Sequence, residues 1–293
     1  MFIDTFLKYL RFERNYSEKT IVSYRIDLEE FEDYLKKVDA EKNLVTADAD
    51  LVRSWMVYLM EKGRSVATVN RKLSSLRSFY RFLLRRRVVD LDPMLKVVGP
   101  KKQKTLPSFL RVQEMDRLLD ECSVNEGFEG VRDRLILEMF YATGMRLSEL
   151  IGLSDADVDL SAKLLKVTGK RNKQRLIPFG EELWMDLLGY IKLRNETLPD
   201  RDDALFVRKD GKRMYPELVY KIVRRNLSKV ATLKKRSPHV LRHTFATAML
   251  NGNAELQAVK ELLGHESLAT TEIYTHTTFE ELKKVYEQAH PRA

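Results

Sequence analysis

Cysteine is almost missing from this chain. Cys122 stands alone among 293 residues, which excludes an intramolecular disulfide and a thiolate zinc site and sets thiol redox chemistry aside. Long apolar runs are missing too: no stretch approaches the roughly 20 residues that cross a bilayer. The opening Met1-Phe2-Ile3-Asp4 places acid where a secretory signal carries base followed by an apolar segment. The expected location is therefore the cytoplasm, with no membrane partner. There is no GxxxxGK(S/T) phosphate loop, no internal repeat and no low-complexity segment. Asp155, Asp157 and Asp159 alternate, and Asp48 and Asp50 precede a helix, yet neither set has the glycine turn or downstream glutamate of a calcium loop. Caps and turns suit them better, so neither a metal nor any other cofactor is expected.

What is present is base. Fifty-two Lys and Arg against 43 Asp and Glu give a formal net charge of +9, the balance of a protein that meets a polyanion, because phosphate backbones bind basic surfaces by releasing counterions. A plain soluble enzyme, a ribosome-associated factor or a membrane-surface protein would fit the same number. A length of 293 residues with 44% hydrophobic content suits two domains, each with its own core.

The first domain, residues 1–91, reads as four helices. Phe2, Phe6, Tyr9 and Leu10 set a helical spacing; Ser17 is placed as N-cap of a second helix carrying Ile21, Tyr24, Leu28, Phe31 and Leu35; a third runs from about Ala49 to Lys62, stopped by Gly63. In the fourth, Val66, Val69, Leu73, Leu76, Tyr80 and Leu83 form one narrow stripe. Arg71 and Arg85 lie opposite that stripe, Lys72, Arg77, Arg81 and Arg86 flank it, and no acid falls between Gly63 and Val89. Solvated helices usually mix both signs, so this face is expected to meet DNA, with Lys19, Arg25, Arg71 and Lys72 as candidate contacts on the second and fourth helices. Residues 92–108, punctuated by Asp92-Pro93, Gly99-Pro100 and Leu106-Pro107, read as a linker. The second domain, 109–293, alternates helices with a short strand pair at Leu164 to Val167 and Leu176 to Pro178, turned by Gly169 to Lys173. The fold class is mainly α with a small β-sheet.

Cleaving a phosphodiester in line requires a nucleophile, a proton for the departing oxygen, and positive charge around the phosphoryl oxygens. Without a metal that charge falls to arginine, whose planar fork matches a phosphate. His239 and Arg242 stand three residues apart at the start of a helix and project from one side of it. His239 and His243 are also i and i+4, but no third ligand accompanies them.

The run His239-Val240-Leu241-Arg242-His243-Thr244-Phe245-Ala246 resembles the HxLRH(S/T)FA motif of the tyrosine recombinases, the phage integrase family. Ala142-Thr143-Gly144-Met145-Arg146-Leu147-Ser148-Glu149-Leu150 is similar to that family's first-arginine motif, Leu262-Leu263-Gly264-His265 to its LLGH motif, and Thr270-Thr271-Glu272-Ile273-Tyr274-Thr275-His276 to its nucleophile segment. One such segment alone would say little in a chain with twelve tyrosines; four in the family's order, with Tyr274 nine residues beyond His265, cover the whole second domain. The resemblance implies an N-terminal SAM-like core-binding domain and a C-terminal α+β catalytic domain. The tail from Leu282 to Ala293 is similar to that of the Xer group, which resolves chromosome dimers. Glu266 and Ala269 depart from the usual Xer wording, so a mobile-element integrase stays open.

What the resemblance implies for roles agrees with what each group can do. Tyr274 would be the nucleophile, forming a 3′-phosphotyrosyl link. Arg146 and Arg242 would hold the non-bridging oxygens, His265 would add a hydrogen bond, and His239 would accept the tyrosine proton. Glu149 would orient Arg146, a surface ion pair being the plainer reading. The turn Thr168 to Arg175 resembles the family's lysine loop, with Lys170 as general acid and Lys173 as the competing assignment. The partners implied are a double-stranded recombination site and a tetramer, of one chain or of two, on paired sites. With no arm-binding domain ahead of Met1, that site should be a short core. The helix after Thr278 either docks on a neighbouring subunit or covers its own core. A type IB topoisomerase, a non-cutting DNA-binding protein on the same fold and a metal nuclease are the competing readings.

Overall fold

The computed structural model describes the chain except residues 1, 102–107, 124–126, 170–171, 231–232, 234 and 265–275, and the side chains of 122, 123 and 276–279. It divides into two units, Met1–Thr105 and Leu106–Ala293.

The first unit holds α1 (Phe2–Phe12), α2 (Glu18–Val38), α3 (Ala49–Glu61) and α4 (Val66–Arg85), and the last three begin where short polar side chains can take up free amides. The Ser17 hydroxyl accepts from Thr20 N, Asp48 Oδ1 from Asp50 N and Leu51 N, and the Ser65 hydroxyl from Thr68 N. The apolar stripes close on Phe6, Leu28, Phe31, Trp55, Leu73, Leu76 and Phe79, all fully buried. The expected linker is folded in its first part. Asp92 caps a 3₁₀ turn, Pro93–Lys96, that sends Met94 and Val97 into this core. Asn70 Nδ2 then donates to the Pro100 carbonyl. Two apolar residues three apart were enough to turn an unpatterned stretch into part of the unit.

The second unit is built around α6 (Phe128–Thr143), buried on nearly every face from Leu135 to Thr143. Against it pack α5 (Val112–Ser123), α8 (Glu181–Thr197), α9 (Pro216–Val230) and α10 (Pro238–Asn251). After α7 (Leu147–Gly152), β1 (Val158–Asp159), β2 (Leu164–Thr168) and β3 (Gln174–Pro178) form an antiparallel sheet in chain order. Its register pairs Leu165 with Ile177 and Val167 with Arg175. Opposed residues share a face, so Arg175 lies on the side that buries Leu165, Val167 and Ile177.

Two further helices, α11 (Leu256–Leu263) and α12 (His276–Ala289), complete the unit. Leu282, Tyr286 and Ala289 of α12 are buried with Phe245 and Met249 of α10 and Leu262 and Leu263 of α11. Of the two readings given for this helix, packing on its own unit is the one these contacts describe. The tail after it is fastened too: the His290 ring stacks on Tyr286 at 5.2 Å, Arg292 N donates to His290 Nδ1, and Arg292 pairs with Glu182. Among the described residues no helix is long and apolar enough to cross a membrane.

Candidate active site

Arg146 stands at the N-terminus of α7. Its backbone amide donates to Glu149 Oε2 at 2.7 Å and its Nη1 to Glu149 Oε1 at 2.8 Å, while Nη2 reaches the Gly264 carbonyl at 2.9 Å. Arg242, on the first turns of α10, donates through Nη1 to the Gly144 carbonyl at 2.5 Å and through Nη2 to that of Leu263 at 2.7 Å. Each guanidinium has five N–H donors, and these contacts occupy two. Both arginines are thereby fixed in direction with donors to spare.

Two glycines make this approach possible. Gly144 ends α6 at φ 58° and Gly264 ends α11 at φ 62°, the left-handed conformation that glycine adopts without a Cβ penalty. A Cβ on Gly144 would come within 2.4 Å of the Phe245 ring. With only hydrogen there, the α6 terminus presses onto α10 and presents its carbonyl to Arg242.

Glu149 is not the surface ion pair that its spacing allowed. Its side chain is fully buried, and Arg175 joins it through Nη1 to Oε1 and Nη2 to Oε2, both at 2.9 Å. Burial pushes the carboxyl up, but the Arg175 fork and the Arg146 amide and guanidinium outweigh it and hold the group down at about 2. Arg175 Nε also donates to the Leu262 carbonyl at 2.9 Å. Three successive carbonyls at the end of α11, those of Leu262, Leu263 and Gly264, thus accept from Arg175, Arg242 and Arg146. Cations suit this negative end of the helix dipole. They repel one another as well: burial, then the Arg146 charge, brings Arg242 down to about 10, against which Glu149 pulls upward.

His239 projects from the same end of α10 and is exposed. Desolvation, then the charges of Arg242, His243 and Arg146, hold its pKa below the ordinary histidine value, so it is neutral at pH 7 and can take a proton. Lys170, His265 and Tyr274 lie outside the described residues. Gly169 N donates to the Lys173 carbonyl at 2.7 Å. Arg175 was missed in the sequence, where its one signal was an inward phase in the strand it shares with Ile177.

The candidate DNA contacts divide. Lys72 is 3% exposed, and its ammonium donates to Asp27 at 2.9 Å and Glu30 at 2.6 Å. It is an internal ion pair, not a free cation. The stretch from Gly63 to Val89 does lack acid, but α2 supplies it across the helix interface. Arg25 pairs with Asp4 and Glu29. It lies two residues, hence about 200° around the helix, from the Asp27 that meets α4, and lines a hollow with Glu29 and Glu32. Arg71 is exposed and gripped by Asp27 through both Nη atoms, at 2.5 and 2.8 Å. Lys19 and Arg81 are exposed, with no acidic partner among the described residues.

A mainly helical body with a small antiparallel sheet, and a cluster of arginines directed at one point, define an enzyme that handles an anionic ester. Residues 108–281 match the phage integrase family, and residues 3–87 match the phage integrase N-terminal SAM-like domain. The tyrosine recombinase XerC of Chlorobaculum tepidum is 40% identical over 98% of this chain and 94% of that protein; XerD of Oceanobacillus iheyensis is 38% identical over 99% and 98%. The XerH site-specific recombinase, in a pre-cleavage complex with its difH substrate, superposes with a TM-score of 0.71 at 26% identity, covering 95% of this chain and 83% of that one. The chain belongs to the phage integrase family and is a tyrosine recombinase of the Xer type.

Proposed function

We propose that this recombinase breaks and reseals DNA through Tyr274, with Arg146 and Arg242 holding the non-bridging oxygens of the scissile phosphate. The observation that carries the reading is the convergence of both guanidinium groups, each anchored to a carbonyl and each with donors left over, on the end of α11 that leads directly into His265. His239, neutral and beside Arg242, takes the tyrosine proton. Lys170 protonates the departing 5′-oxygen, and His265 adds a hydrogen bond to the phosphoryl oxygens. The phosphotyrosyl ester conserves the energy of the diester, so a 5′-hydroxyl from a second strand can reseal the backbone without an external energy source. Arg71 and Lys19 contact the DNA from the first unit. The relatives named XerC and XerD support a role in resolving chromosome dimers in the cytoplasm, by a tetramer of this chain alone or with a second recombinase.

The test is incubation of the full chain, in EDTA, with a nicked duplex carrying the host's recombination site, so that cleavage traps the covalent intermediate. An adduct mapping to the peptide that contains Tyr274 supports the reading; one on another residue, or cleavage that EDTA abolishes, refutes it.

A further inference from the structure

Arg175 has no part in the chemistry described so far, yet it makes three hydrogen bonds beside it, more than the side chain of Arg146 or Arg242. Register puts it on the inner face of β3, 8% exposed along its side chain. There its three nitrogens reach two different segments: Glu149 in α7 and the Leu262 carbonyl in α11. Glu149 Oε1 receives Arg146 Nη1 and Arg175 Nη1; Oε2 receives the Arg146 amide and Arg175 Nη2. Four donors fill the roughly four lone-pair sites of a carboxylate. With Arg175 present, Glu149 is satisfied while taking one guanidinium N–H from Arg146.

We propose that Arg175 is a positioning residue for strand cleavage: by saturating the buried Glu149 it keeps the rest of the Arg146 guanidinium free for the scissile phosphate. Without it, two acceptor sites on a buried carboxylate fall open, and the nearest cation able to fill them is Arg146. A bidentate Arg146–Glu149 pair would turn that fork away from the phosphate, at the point in the reaction where positive charge counts most. Lysine cannot take the place of Arg175, because a single ammonium cannot reach both carboxylate oxygens and the Leu262 carbonyl in fixed geometry.

The proposal rests on Arg146 being a phosphate ligand, and the test separates the two. Single-turnover cleavage and DNA affinity are measured for the full-length parent, Arg175→Gln, Arg175→Lys and Arg146→Ala. The substrate is a nicked duplex with either a normal diester or a methylphosphonate at the scissile position. The methyl group removes the non-bridging charge that Arg146 would neutralise. Arg175→Gln should cleave the diester about tenfold to a hundredfold more slowly with unchanged affinity, and Arg175→Lys should fall between it and the parent. On the methylphosphonate the gap from the parent should close to about threefold or less. Equal slowing on both linkages would mean a merely structural residue and would overturn the proposal, as would full-rate diester cleavage or a loss confined to affinity. Should Arg175→Gln not fold, Arg175→Lys carries the same comparison between linkages. Full activity in Arg146→Ala would sink the reading of the site itself; an inactive Arg146→Ala beside a fast Arg175→Gln would sink only the role of Arg175.

Discussion

Asp27 in the first unit and Glu149 in the second are both fully buried carboxylates that gather basic side chains, and they differ in what is left over. Asp27, with Glu30 close by, meets Arg71 and Lys72, and the Ser75 hydroxyl donates as well. Acid and base balance there, and the Lys72 ammonium is lost to solvent. Around Glu149 stand Arg146, Arg175 and Arg242, so among the described residues one carboxylate faces three guanidinium groups, and neutral backbone carbonyls complete their bonding. A balanced cluster holds helices together. The surplus in the second unit raises the energy of the empty site and is relieved when an anion enters, which is what a phosphoryl-transfer site requires.

The largest effect should come from removing the nucleophile while leaving that surplus intact. Tyr274→Phe should bind the recombination site as the parent does and yield no covalent adduct on a denaturing gel; an adduct would remove Tyr274 from the account. Next in size, Asp27→Asn breaks the balanced cluster. Leaving the buried Lys72 with Glu30 but without the Asp27 charge should cost the first unit up to about 3 kcal/mol in denaturant unfolding, with the cleavage rate of the remaining folded protein unchanged. A rate loss without a stability loss would erase the distinction between the clusters.

The tail gives a comparable effect through pH. Burial, opposed by the Tyr141 carbonyl and reinforced by Arg292, brings His290 down to about 4. An unfolded chain titrates this histidine near 6.5, so between those values the unfolded state holds the extra proton. Stability from this group is complete above about pH 6.5 and is lost as pH falls towards 4, by about 3 kcal/mol in all. His290→Gln should flatten that slope in melts of the second unit. An unchanged slope would place the titration elsewhere. Smallest is Lys19→Ala, which should weaken DNA binding a few-fold and lower the slope of log affinity against log salt by about 0.9; an unaltered slope would take Lys19 off the phosphate backbone.

Much of this was legible in the sequence because it is local. Ser17 and Asp48 mark helix starts, the stripe from Val66 to Leu83 marks a buried face, and His239 and Arg242 share a helix turn with their motif intact. What was hidden depends on pairing across the chain. Lys72 finds its acid 45 residues away, so reading α4 alone made a buried ion pair resemble an exposed base. Arg175 reaches Glu149 26 residues earlier and Leu262 87 residues later, a link no helical or strand period announces. β1, two residues long, is too short to show alternation. The packing of α12 on Phe245, Met249 and Leu262 of its own chain is likewise not announced by any spacing within the helix.

The contrast between the units is tested most directly by measuring single-turnover cleavage rate and DNA affinity side by side for Arg71→Ala and Arg242→Ala. Arg242→Ala should lose about a hundredfold to a thousandfold in rate with near-parental affinity, and Arg71→Ala should lose affinity at an unchanged rate once the DNA is saturated. Loss of affinity alone in Arg242→Ala, or loss of rate in Arg71→Ala at saturation, would contradict the assignment of chemistry to the unbalanced cluster.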